Sequence, residues 1–348
     1  MERKYILQYG NIAGLPYHYS RALQSIGIDS INAISINEEF SNMNRKIPFD
    51  RAVTESSDTK LGKQIKRFKY FFNEVADNCS LVHYFGDSIL WKQFDVWLLR
   101  WMNRPMVISF GGTDVRLASI AQAKNRYVNI PAYSEGEAKI RKKLKFLGKY
   151  IRFAATDYEL AEYVEPYFEK VFILKQTLDI SQIQFNPPSA ENRIPVVMHV
   201  PTNRIAKGSD FIDAAVERLK SENIPIDYRP LEPVYTQKQM QDIIKDSDII
   251  IDAICTGAYG LSAIEAMSAG KPVICHIRKD LVEKHPDDLP IVSANPDTIY
   301  DKLKELVLDS QLRYEIGVKS RAFAEKHHSY STIGNRLKEI YSEIGLKF

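Results

Sequence analysis

Cysteine is scarce in this chain: Cys79, Cys255 and Cys275 are the only three among 348 residues, and no two form a C-x-x-C pair. That spacing argues against a disulfide framework or a zinc site and fits a reducing compartment. No apolar run approaches the roughly 20 residues that a membrane span needs. The opening MERKYILQYG enters an apolar strand directly, without the apolar core and cleavage site of a signal peptide, so a cytoplasmic location is expected. No G-x-G-x-x-G opens either half, which speaks against a dinucleotide dehydrogenase. No D-x-D metal motif lies in a suitable loop, and no metal site is expected. A nearly neutral charge balance without a recognition motif leaves nucleic-acid binding unsupported.

What is present is ordinary in bulk and uneven in detail. A hydrophobic fraction of 45% and a charged fraction of 26% are those of a globular protein, and the length suits two domains. The net charge of +3 hides about +6 over residues 1–180 and about −3 over 181–348. Lys60 to Lys69 and Lys139 to Arg152 carry only positive charges, interleaved with Ile, Leu, Phe and Tyr. Each stretch reads either as an amphipathic helix with a solvated face or as a contact for an anionic membrane surface.

Short apolar runs alternate with longer amphipathic stretches, the pattern of βαβ units and a parallel sheet. Strands are predicted at Tyr5–Gln8, Ile31–Ile36, Leu81–Phe85, Met106–Phe110, Arg152–Ala155 and Val171–Leu174 in the first half. The second half offers Pro195–His199, Ile226–Arg229, Ile249–Ala253, Val273–Ile277 and Ile291–Val292. Residues 181–192 include QIQFNPPSAEN, whose paired prolines hold neither helix nor strand, and read as a linker. The expected division is therefore 1–180, a linker at 181–192, 193–332, and a last helix within 333–348 that crosses back to the first domain. Two doubly wound α/β halves would face each other across a cleft at the carboxyl ends of their strands.

The richest segment is GAYGLSAIEAMSAGKPVI, from Gly257 to Ile274. Ser262 and Glu265 have capping-box spacing, and Gly270 with Pro272 marks a helix stop. A glycine loop at Gly257–Gly260, feeding a helix near Leu261, offers N–H groups and a positive dipole end to a phosphate. Glu265 either caps that helix or accepts hydrogen bonds from ribose hydroxyls. Arg204 and Lys207, in HVPTNRIAKG, supply two cations suited to a diphosphate. In the first half, Asn11 and Gly14 follow the first strand, and GGTDVR brings Asp114 and Arg116 after another. His83 and His199 end apolar strands with no partner at metal spacing, so hydrogen-bonded histidines are expected there. His276 is read similarly, and His327-His328 is read as an exposed polar tail.

The stretch GLSAIEAMSAGKPVI resembles the signature of retaining GT-B glycosyltransferases of the group 1, family 4 type, with support from NIAGLPY, GGTDVR, PTNRIAKG and PDTIYDKLKELVLD. The resemblance implies two Rossmann-like domains, a nucleotide-sugar donor with UDP favoured, no cofactor and no metal. It implies donor contacts at Glu265, Gly257, Tyr259, Gly260, Leu261 and Gly14, catalytic roles for Asp114, Lys207 and Arg204, and an acceptor side at Asn11 and Arg116. In that family two glutamates stand in an E-x7-E motif. Glu265 matches the second, whereas the first falls on Gly257, leaving backbone or a neighbour such as Tyr259 for the sugar. The family's arginine stands about five residues before its lysine, and here the gap is three. Expected partners are the nucleotide sugar, a saccharide or lipid-linked saccharide acceptor, and an anionic membrane at the inner face. The alternatives are a nucleotide-sugar epimerase of the same fold and a non-catalytic nucleotide-sugar-binding subunit.

Overall fold

The computed structural model describes residues 4–36, 47–86, 88–128, 136–201, 203–231 and 236–348. Among these residues twelve strands form two sheets, in which every paired neighbour runs parallel. The first holds β1 (Tyr5–Gly10), β2 (Ser30–Ser35), β3 (Arg51–Thr54), β4 (Cys79–Phe85), β5 (Met106–Ser109), β6 (Phe153–Thr156) and β7 (Lys170–Ile173), in the order β3-β2-β1-β4-β5-β6-β7. The second holds β8 (Val196–His199), β9 (Asp227–Pro230), β10 (Ile249–Ile251), β11 (Val273–Cys275) and β12 (Val292–Ser293), in the order β12-β11-β10-β8-β9. The α/β class expected from the sequence is the class found. The strand order reverses between β1 and β4 in the first sheet and between β8 and β10 in the second. Loops at the carboxyl ends there flank a crevice, the usual ligand position in such sheets.

The predicted strands are all present, with ends shifted by a few residues, and β3 is additional. Its sequence, Arg-Ala-Val-Thr, has only two buried residues and lies at a sheet edge. The structure divides into two compact units. Among the described residues, the first unit holds 4–117, 136–178 and 329–348, and the second 118–128 and 179–328. The passage between units at 178–179 and the return at 328–329 lie near the expected linker and last helix, whereas 118–128, expected within 1–180, groups with the second unit. The 118–128 segment groups with the second unit because Asn125 is buried there, donating to the Cys255 carbonyl at 2.8 Å, and the Tyr127 hydroxyl donates to Asp297 at 2.6 Å.

The helix Tyr330–Glu343 belongs to the first unit. Its Ile333, Leu337, Ile340 and Tyr341 share one face and bury against Leu15, Tyr19, Ala22 and Leu23 of the helix Leu15–Ser25. Burying each such side chain stabilises by about 1.5–3 kcal/mol. Gly334 permits the close approach, since a Cβ there would stand 2.2 Å from the Ala22 carbonyl oxygen. Polar ties complete the join: the Tyr341 hydroxyl accepts from Gln8 at 3.0 Å and bonds His83 Nδ1 at 2.8 Å.

Candidate functional site

In the second unit the crevice residues come from the ends of β8 and β10. β8 ends at His199, whose two ring nitrogens bond the Ile251 carbonyl and the Ser209 hydroxyl, each at 2.8 Å. Burial lowers its pKa, so a neutral imidazole ties the two strand ends together as the sequence suggested. The Asn203 side chain caps a short turn of helix, Arg204–Lys207, by accepting from the Ala206 N–H at 2.9 Å. Gly208 then reverses the chain at φ 80° and opens the helix Ser209–Ser221. The turn places Lys207 against Asp252, directly after β10, in a largely buried ion pair. The Lys207 carbonyl also accepts from the Ile254 N–H at 3.1 Å. Both loops of the reversal point are thus fastened through one lysine.

The loop after β10 leads to the helix Leu261–Ser268. Gly257 is buried at φ 92°, and its carbonyl accepts from the Arg278 N–H at 2.8 Å. A Cβ there would lie 3.1 Å from the Asn125 amide nitrogen and 3.2 Å from two carbons of Arg278. Asp280 grips the Arg278 guanidinium through two hydrogen bonds of 2.7 and 2.9 Å. The expected capping box is absent: Gly260 is the N-cap, Ser262 lies one step inside the helix, and no side chain caps it. Glu265 sits half-buried in the second turn. The predicted stop is present, with Gly270 at φ 80° and its N–H bonding the Met267 carbonyl at 2.9 Å.

Other candidates turn elsewhere. Tyr259 is buried, with its ring against His285 and its hydroxyl 3.2 Å from His328 Nε2. His328 therefore corrects the reading of an exposed histidine tail: it ends the long helix Ser310–His328 and is fully buried. Its neighbour His327 bonds Asp288 at 3.1 Å. Arg204 is exposed and paired with Asp213 at 2.6 Å, not with Lys207's carboxylate. Beside it lies a cavity of about 390 Å³, lined among others by Arg126, Tyr127, Arg204, Gly208 and Ser209. His276 is buried under the Tyr127 ring with a lowered pKa, owing to burial and then to Arg278.

In the first unit, loops after β1, β4 and β5 close on Ile12. A Cβ on Gly111 would meet Ile12 Cγ2 at 2.6 Å, and one on Gly86 would meet Ile12 Cδ1 at 3.6 Å. Asn11 Oδ1 accepts from the Gly14 N–H at 3.2 Å, and Gly14, at φ 80°, is the N-cap of Leu15–Ser25. Asp114 Oδ1 accepts from the Gly111 and Gly112 N–H groups at 3.0 and 2.9 Å. Its Oδ2 is shielded from solvent and has no hydrogen-bond partner among the described residues. Arg116 instead forms a bidentate pair with the buried Glu159, at 2.7 and 2.8 Å. His83, buried between Tyr341 and Ser109, has its pKa driven by burial down to about 3.

Asp252, Asn125 and Arg278 escaped the sequence reading. For Asp252 a signal existed, a carboxylate ending the run Ile249–Ile251. Asn125 and Arg278 have none, being joined to Gly257 only by the fold. Among the described residues no cluster of His, Cys, Asp or Glu could hold a metal ion, and no helix is long and apolar enough to cross a membrane.

With two Rossmann-like units established, known structures supply the comparison. Sucrose-phosphate synthase from Thermosynechococcus elongatus is similar over 98% of this chain and 99% of its own, with a TM-score of 0.64 and 13% identity. HepE from Anabaena, in complex with UDP and glucose, matches over 98% and 100%, with a TM-score of 0.63 and 12% identity. The chain has the GT-B fold. A glycosyltransferase from Rickettsia africae shares that GT-B fold over 98% of each chain, with a TM-score of 0.60 and 14% identity. No family model matches the sequence, and no curated protein sequence does. The GT-B architecture expected from GLSAIEAMSAGKPVI is thus the one observed, by backbone likeness at low identity.

Proposed function

We propose that this chain is a glycosyltransferase that moves a sugar from a nucleotide-sugar donor, UDP-linked in the favoured case, to a saccharide acceptor. The observation that carries the reading is Lys207, held by Asp252 at the strand reversal of the second sheet. HepE, of the same fold, binds UDP and UDP-glucose, which supports the choice of donor. In this reading the Lys207 ammonium neutralises the leaving diphosphate. Glu265 accepts from the ribose hydroxyls, and the Gly257–Leu261 loop meets the donor through backbone groups. Arg204 has acidic partners of its own and contributes by releasing them when a diphosphate arrives. Asp114 Oδ2, without a hydrogen-bond partner among the described residues, accepts from an acceptor hydroxyl near Asn11 and Gly14. Arg116 acts only by anchoring that loop to Glu159.

The finer proposals are retention of anomeric configuration, independence of metal, a lipid-linked acceptor, and work in the cytoplasm at the inner membrane face. Gly257 favours a second reading, a subunit that binds the nucleotide sugar without transferring it, because glycine occupies the sugar-contacting position of the E-x7-E motif. Titration calorimetry with UDP- and GDP-sugars separates these. Tight binding lost at least tenfold in Lys207→Ala and Glu265→Ala, with transfer that persists in EDTA, is the expected outcome. Binding without any product selects the subunit, and binding that neither substitution alters sinks the donor site.

A further inference from the structure

The outer helices of the first unit carry apolar side chains where solvent-facing polar ones belong. On the helix Lys60–Tyr70 and its continuation, Leu61, Ile65, Phe68 and Phe72 recur at helical spacing, and all four are exposed, Leu61 by 71%. On the helix Phe94–Trp101 and the turn before it, Trp91, Phe94, Trp97 and Trp101 do the same, with Trp101 exposed by 77%. The rings group among themselves, Phe68 with Phe72 at 4.5 Å and Phe94 stacked on Trp97 at 5.2 Å. Phe146 is exposed on the neighbouring helix Glu137–Tyr150.

Topology puts these helices side by side. The chain steps from β3 to β4, to β5 and to β6 in a single direction across the sheet, whereas β1 to β2 to β3 runs the other way. Right-handed crossovers therefore place Lys60–Tyr70, Phe94–Trp101 and Glu137–Tyr150 on one face. The opposite face carries Leu15–Ser25, covered by Tyr330–Glu343. Among the described residues no element covers the aromatic stripes, as their exposure shows.

The charge of this face is of one sign. Lys60, Lys63, Lys69, Lys92, Arg100, Lys142, Lys145 and Lys149 flank the apolar stripes. The acids on and beside these elements are already engaged: Asp58 with Lys66 at 2.7 Å, Glu74 with Arg51 at 3.2 Å and Glu137 with Arg141 at 2.6 Å. Asp95 is buried, accepting from the Tyr84 hydroxyl and the Ile89 N–H, each at 2.8 Å. A second copy of the chain would set these cations against themselves. A surface of anionic phospholipid satisfies both features, headgroups taking the ammonium groups and the acyl boundary taking Trp and Phe.

The geometry points to this face as a membrane-docking surface, with Trp91, Phe94, Trp97 and Trp101 as the inserted edge. It deepens the reading of a lipid-linked acceptor, and docking itself needs no donor, so the two can fail separately. The test is built in, because the three tryptophans of the chain are Trp91, Trp97 and Trp101, and its indole emission reports this face alone. The full chain is mixed with vesicles of phosphatidylcholine, with or without phosphatidylglycerol. The expected result is a blue-shifted emission and co-sedimentation with the anionic vesicles only, reversed by high salt. Lys63→Glu, Lys69→Glu and Lys145→Glu together are expected to weaken partitioning about tenfold or more. Trp97→Ser with Trp101→Ser is expected to abolish sedimentation while far-UV circular dichroism stays unchanged. Emission indifferent to anionic vesicles, or a shift that tracks protein concentration without lipid, would overturn the proposal, the latter by revealing self-association. UDP-sugar binding measured on the same sample shows whether the donor reading stands independently.

Discussion

Replacing Gly257 by alanine tests the account of the glycine loop most directly. The residue is at φ 92°, where an L-residue meets its own carbonyl and loses about 1–2 kcal/mol. The new Cβ also arrives 3.1 Å from Asn125 Nδ2 and 3.2 Å from Arg278 Cγ and Cδ. Neither neighbour is free to swing aside, Asn125 being bound to the Cys255 carbonyl and Arg278 to Asp280. Taken together the substitution should destabilise the second unit by about 2–3 kcal/mol. For a unit of this size that lowers its melting temperature by roughly 4–12 °C. Gly260→Ala is the matched control: its φ of −127° suits any residue and nothing lies within 4 Å of its Cβ. As an N-cap glycine replaced by alanine, that variant should stay within about 1 kcal/mol of the parent. Scanning calorimetry resolves the two units, and hydrogen exchange over Ile249–Ser268 localises the loss. If the two glycine variants melt alike, the strained-loop argument is wrong. Gly257→Glu should fare worse than Gly257→Ala and should gain no activity, because a side chain there runs into Asn125 and Arg278.

Two further outcomes concern the first unit. Gly334→Val should push Tyr330–Glu343 off Leu15–Ser25, since a Cβ stands 2.2 Å from the Ala22 oxygen, and faster proteolysis of the last helix would reveal it. His83 is held at about 3, below its ordinary value of about 6.5, so the unfolded chain takes up a proton in that window and the folded one does not. Its contribution is therefore complete above about pH 6.5 and lost as the pH falls toward 3. Asp157, raised by burial to about 6, works in the opposite sense between its ordinary range and that value. The comparison with His83→Gln isolates the histidine: the stability gap in urea should narrow by about 2 kcal/mol between pH 7 and pH 5. A gap that stays constant would mean that the imidazole titrates normally.

The sequence made the sheets legible because buried parallel strands read as plain apolar runs, as at Ile249–Ile251. β3 was missed for the same reason, being a short edge strand with polar ends. Asn125 and Tyr127 fall within the 1–180 stretch by sequence yet group with the second unit, since nothing local says that their hydrogen bonds lie more than a hundred residues downstream. The capping box at Ser262 and Glu265 failed by two positions, which spacing cannot fix when a glycine takes the cap. His328 sits in a polar run yet is buried, because the helix Ser310–His328 turns that position toward Tyr259. Lys207 is marked as a candidate by its motif, whereas Asp252, which holds it, becomes visible only where two loops meet. The aromatic stripe at Trp91–Trp101 was fully present in the sequence, but apolar periodicity there looks the same as that of a core helix. Only the exposure of each ring tells them apart.

The return of the last helix to the first unit also reverses the order in which the units are finished during synthesis. Gln8 and His83 are made early, yet Tyr341, which both of them bond, follows the whole of residues 179–328. At about 5–20 residues per second, translation of that stretch alone leaves the Leu15–Ser25 face bare for roughly eight to thirty seconds. By then every residue of the second unit has already been made. Cutting the gene at the Gln182–Asn192 connection would yield a first unit that never receives its final helix, with Leu23 and Phe85 open to association with other chains.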